Sequence, residues 1–125
     1  MAKGHELATW SVKTTSLTYS GGGAVISANV EGTGTGGLGA LLGTAVFVNC
    51  PKGGPLSYSG LAYQENGEVL LTSGTGAFES IGGHRWKTSA ILELSDGRRM
   101  LSEGEIELAN RSWSGKVYEL SLIHI

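Results

Sequence analysis

Apolar and polar residues alternate with a period of two along most of this chain, and that pattern predicts strands rather than helices. Eight windows carry it: roughly residues 7–19, 24–34, 40–49, 55–65, 68–78, 84–94, 98–108 and 113–121. Each is bounded by turn chemistry. Gly21-Gly22-Gly23 ends the first, and PKGGP (51–55) separates the third from the fourth. Asn66-Gly67, between LAYQE and EVLLTS, is a strong hairpin signal, because a type I′ turn needs positive φ at both central residues. ESIGG (79–83), SDG (95–97) and ANRS (109–112) follow. Only 38–48 could pass for a helix, so the expected class is all-β.

Charge sets the register of the hairpin around residues 95–97. A three-residue Ser95-Asp96-Gly97 loop, with Gly97 in the left-handed bulge position, places Arg85 opposite Glu107, Lys87 opposite Glu105 and Glu93 opposite Arg99. Trp86 then meets Ile106, Leu92 meets Met100, and His84 meets Leu108. A two-residue Asp96-Gly97 turn would put carboxylates on the apolar face, so the longer loop is expected. In the next hairpin a four-residue ANRS loop places Trp113 opposite Leu108, Gly115 opposite Ile106 and Lys116 opposite Glu105. SEGEIEL (102–108) thus reads as a solvated charge ladder rather than paired catalytic carboxylates, since a general acid needs a dry carboxyl.

One apolar and one charged face over eight meandering strands point to an eight-stranded antiparallel meander barrel in a single domain, residues 1–125. A β-sandwich is the alternative. Closure removes exposed edges and leaves an interior that side chains fill or that holds one small ligand. The inward row contains Ala90, Ser102, Gly104 and Gly115, small enough for tight coiling or for a cavity.

VEGTGTGGLGALLG (30–43) contains Gly32-x-Gly34-x-x-Gly37, the spacing of a dinucleotide-binding loop. Such a loop needs a helix after it, then a parallel strand ending in an acidic residue. Here Gly39 and Gly43 would weaken the helix, TAVFV is β-branched, and no acidic residue occurs between Glu31 and Glu65. The glycines are expected to let a strand bend or another element approach closely.

Composition adds exclusions. Twenty-one glycines and two prolines in 125 residues, without a triplet period, fit many turns between short strands. A net charge of −2 supplies no steering field for nucleic acid, so no nucleic-acid partner is expected. The single cysteine, Cys50, rules out an intrachain disulfide and reads as a small half-buried residue. MAKGHELATW lacks an apolar signal core and no stretch approaches bilayer length, so a cytoplasmic protein without membrane contact is expected. The final SLIHI (121–125) is apolar and uncapped, and could extend the last strand.

Candidate chemistry gathers near one barrel end. His84 and Trp86 are expected to share the inward face beneath 79–83, with Trp113 and Leu108 as neighbours. His84 would place a polar group in an apolar mouth, where it could serve as acid or base. Tyr58, Tyr63 and Trp10 are expected wall residues, and Arg98 faces inward at a rim. His5 and His124 lie near the termini, giving no metal-ligand spacing, and no cofactor is implied. No serine sits in a nucleophile elbow.

SGTGAFESIGG (73–83), a strand with Gly-Thr-Gly, an aromatic residue and a short glycine loop, resembles the corresponding strand and turn of dirigent and allene-oxide-cyclase-type barrels. Small bacterial barrels are similar there, and GGHRWKTSAILELSDGRRMLSEGEIEL (82–108) resembles a narrower bacterial group. The resemblance implies an eight-stranded antiparallel barrel, often oligomeric, with an apolar cavity; the plant members guide or catalyse cyclisation of hydrophobic intermediates. No catalytic residue carries over, because the acidic and arginine positions of the plant enzymes have no matching motif here.

Three functions remain open. The first is a barrel binding a small apolar or amphipathic molecule in a cavity of a few hundred cubic ångströms, opening at the His84/Trp86/Trp113 end. The second is an isomerase or cyclase using His84 for proton transfer. The third is a structural or homo-oligomerisation module with a filled barrel.

Overall fold

The computed structural model describes residues 2–121; His124 and the SLIHI segment beyond Ser121 lie outside the described residues. Eight strands occur: β1 (Ala2–Ser20), β2 (Val25–Gly34), β3 (Gly39–Val48), β4 (Gly53–Tyr63), β5 (Val69–Gly82), β6 (Arg85–Leu94), β7 (Arg99–Glu107) and β8 (Ser112–Ser121). They pair in sequence order, and β8 returns to β1, so the sheet is a closed antiparallel barrel. Residues 38–48 are strand, not helix, and Gly32, Gly34 and Gly37 belong to a hairpin between β2 and β3. A Cβ at Gly32 would strike the Ser11 carbonyl oxygen of β1, so this glycine serves close strand approach rather than a phosphate.

The β6–β7 hairpin has the register that the charges demanded. Arg85 pairs Glu107, Lys87 pairs Glu105, Glu93 pairs Arg99, Trp86 pairs Ile106 and Leu92 pairs Met100. Gly97 sits at φ 95°, and its N–H donates to the Leu94 carbonyl. Asp96 closes the loop by accepting the Arg98 backbone N–H, which, ahead of the Arg98 guanidinium, holds its carboxyl below the ordinary range.

The next hairpin departs from expectation by two residues. Trp113 pairs Ile106, Gly115 pairs Gly104, and Lys116 pairs Glu103 rather than Glu105. The reason is the connection: Leu108–Asn110 forms a 3₁₀ turn ended by Arg111 in the left-handed region, so β7 stops at Glu107. A shift of two preserves every facing, so the charged row stays outside. The ion pairs on that outer row run Arg85 to Glu105, Lys3 to Glu103 and Lys116 to Glu6.

Inside, the apolar side chains form two layers. One comprises Val12, Ala28, Val30, Ala45, Phe47, Leu56, Phe78 and Trp113; the other comprises Ala8, Ala62, Leu70, Leu94, Met100 and Val117. The first lies toward the turns 21–24, 49–52, 83–84 and 108–111, and the second toward 35–38, 64–68 and 95–98. Among the described residues no helix is long and apolar enough to cross a membrane.

Candidate functional site

Alternation places Trp10 (β1), Tyr58 (β4) and Trp113 (β8) on the inner wall, where they form one aromatic cluster. Trp113 meets Trp10 edge to face at 5.2 Å between ring centroids, Tyr58 at 6.3 Å and Phe47 at 5.7 Å. Such pairs add about 0.5–1.5 kcal/mol beyond area burial. The Trp113 indole donates to the buried Thr88 hydroxyl at 3.0 Å. The Trp10 indole N–H is buried without an acceptor.

Glycines make room for these rings. A Cβ at Gly43 or Gly60, which face each other across β3 and β4, would collide with the Tyr58 hydroxyl. A Cβ at Gly104 would lie 2.8 Å from the Trp10 ring. Bulk is thereby moved from three strands onto the aromatic neighbours. Burial raises the Tyr58 phenol above its ordinary value of 10.0.

Above this aromatic floor the barrel is not filled. A cavity of about 170 Å³ extends from Trp10, Tyr58 and Trp113, past Leu41, Ala90, Leu92 and Met100, to Leu38, Gln64 and Arg98. Arg98 is its only charged lining residue among those described. The opening is therefore at the 35–38, 64–68 and 95–98 end, opposite to the expected one. The other end is stoppered by Phe47, Phe78 and Leu56, and by Trp86, whose indole donates to the Pro51 carbonyl at 2.6 Å.

Of the expected site residues, Trp10, Tyr58 and Trp113 line the cavity, with Arg98 at its rim, whereas Trp86, His84, Leu108 and Tyr63 do not. Trp86 points inward but belongs to the stopper. His84 is exposed: with Gly83 it supplies the two positive-φ residues of the β5–β6 turn, at 56° and 65°. The turn extends one residue beyond ESIGG and removes His84 from the strand, so its ring does not reach the interior. Leu108, displaced into the 3₁₀ turn, is 48% exposed, and Tyr63 is 46% exposed. Tyr58 and Tyr63 are five residues apart on one strand and so face opposite sides. Thr88, missing from the sequence-derived set, was legible by parity between Trp86 and Ala90.

The other chemical candidates stay isolated. Cys50 is a free, part-buried thiol that burial pushes up, bonded to the Phe47 carbonyl at 3.6 Å. Among the described residues no three His, Cys, Asp or Glu side chains gather as a metal site. Compared with known proteins, the chain matches no family model, no curated protein and no solved structure.

Proposed function

We propose that this barrel binds one compact aromatic or similarly small amphipathic molecule in its interior. The observation that carries the reading is the 170 Å³ cavity bounded by Trp10, Tyr58, Leu41, Leu92 and Met100. A cavity of about 150 Å³ lined by apolar side chains is large enough for benzene, whereas drug-sized ligands need about 300 Å³ or more. The ligand is thus a molecule of roughly ten non-hydrogen atoms or fewer, smaller than expected from sequence.

The polar groups refine its chemistry. Trp10 Nε1 is a donor without an acceptor, and leaving such a group dry costs about 1–3 kcal/mol. A ligand that brought an acceptor oxygen within reach of this group would relieve it, and Trp10 lines the cavity. The local resemblance of residues 73–83 to allene-oxide-cyclase-type and dirigent barrels is in keeping with an interior ligand. Enzymatic proton transfer by His84 has no support from geometry, since that side chain lies outside the cavity. A cytoplasmic setting belongs to the proposal and is compatible with the free thiol of Cys50.

The test is native mass spectrometry of the purified protein for a co-purified small molecule, followed by isothermal titration calorimetry with acetophenone and indole. Both probes are about the right size, but only acetophenone brings an acceptor oxygen. Saturable heat is expected below about 1 mM, tighter for acetophenone, and lost in Ala90→Leu and Ser102→Leu, which fill the cavity. No bound mass and no saturable change with either probe would sink the reading.

A further inference from the structure

The outer surface divides into two walls of different chemistry. Strands β6, β7, β8 and β1 carry Arg85, Lys87, Glu93, Arg99, Glu103, Glu105, Glu107, Lys116, Glu119, Lys3, Glu6 and Lys13. Strands β2 to β5, half the circumference, carry only Glu31 and Glu79. On that second wall a row of leucines crosses three strands in register: Leu42 pairs Leu61, and Leu61 pairs Leu71. Leu42 is 43% and Leu71 61% exposed. Tyr63 and Val69 form the adjoining pair and are also exposed. On the other side of the leucines run hydroxyls, Thr44 paired with Ser59 and Ser59 with Ser73. A shallow groove of about 740 Å³ crosses this face between Glu31 and Glu93.

We infer that the β2–β5 wall is the interface of a two-fold homodimer, with a second copy of this chain as its occupant. Three properties select that occupant. First, leucine complements leucine, and a hydroxyl is both donor and acceptor, so both rows complement themselves. An isologous contact requires this self-complementarity, and the charged wall already pairs its opposite signs within the chain, as Arg85 with Glu105 and Lys116 with Glu6. Second, the size suits an interface at the small end of the specific range. Four strands about 4.8 Å apart and ten residues long at about 3.3 Å each make a wall of roughly 19 by 33 Å. It wraps half of a closed barrel, so a second copy meets its central strip, fewer than the roughly 20–30 residues a side of a standard interface. Third, Ser57, Ser59, Ser73, Thr44 and Thr75 interrupt the apolar surface, whereas a lipid-facing barrel wall is a continuous apolar band. The cavity opening lies at the barrel end rather than on this wall, so dimerisation and ligand binding are separable.

Light scattering coupled to size-exclusion chromatography between about 1 and about 100 µM reads the state directly, since association follows protomer concentration. The expected mass is twice the chain mass of 13.0 kDa. Leu61→Glu and, separately, Ser59→Arg should halve it with unchanged circular dichroism; Ser59→Arg removes no apolar packing. Leu101→Glu on the charged wall should leave it doubled. A wild-type mass of 13.0 kDa across the range, a mass of three or more copies, or persistence of the dimer in both wall variants would each overturn the proposal. So would dissociation by Leu101→Glu alone.

Discussion

Trp10, Tyr58 and Trp113 enclose space because glycines, not larger residues, stand beneath two of them. Gly104→Val would drive a side chain into the Trp10 ring from 2.8 Å. Overpacking of this kind costs about 1–3 kcal/mol, so the urea midpoint should fall at unchanged slope. Tyr58 gives a signed pH effect. Its phenol is raised above 10.0 by desolvation, so the folded state retains a proton that the unfolded state releases. The associated stability is whole below pH 10 and is lost as pH rises through the folded value. Thermal melts of Tyr58→Phe between pH 8 and pH 11 should show a shallower alkaline decline than wild type. At this scale sequence reasoning succeeded for Trp113, whose facing follows from the strand period, and failed for Tyr63, which the same period sets on the opposite face from Tyr58. It failed for His84 and Leu108, whose placement depends on where a turn begins, and a shift of one residue there removes a side chain from its face.

The hairpins show which turn signals are strong. Asp96-Gly97 stands between strands whose charges agree with only one register, so loop length and cross-strand pairing reinforce each other. Gly97→Ala should cost about 1 kcal/mol or more, because φ of 95° strains any residue with a Cβ; chemical denaturation measures it. The loop after β7 lacked such agreement. Lys116 finds a carboxylate opposite it in either register, Glu105 or Glu103, and the 3₁₀ turn decides. The ion pair of Lys116 with Glu6 is about half exposed on both sides, so Lys116→Ala should cost no more than about 1 kcal/mol and less in high salt.

For the molecule as a whole, closure and incomplete filling belong together. Eight strands leave an interior that side chains just fill, and this one is underfilled between Ala90, Leu92, Met100 and Trp10. A ligand seated there binds only the folded state. At a hundred times its dissociation constant it should add about 2.7 kcal/mol, read as a rise in melting temperature that Ser102→Leu abolishes. The floor and walls of the cavity were legible in the inward row, but its opening was not. Which end is stoppered depends on Trp86 reaching Pro51 and on Phe47 meeting Phe78 at 5.1 Å, contacts between strands remote in sequence.

Period-two alternation, turn residues and the charge pairs of β6 and β7 by themselves determined the class, the strand order and which side chains of that hairpin's strands face inward, because these depend on neighbours along the chain or one strand away. Closure brought together residues from opposite walls, and only that decided where space remained and which end opened. Packing in a closed barrel is a property of the whole ring, and no single hairpin contains it.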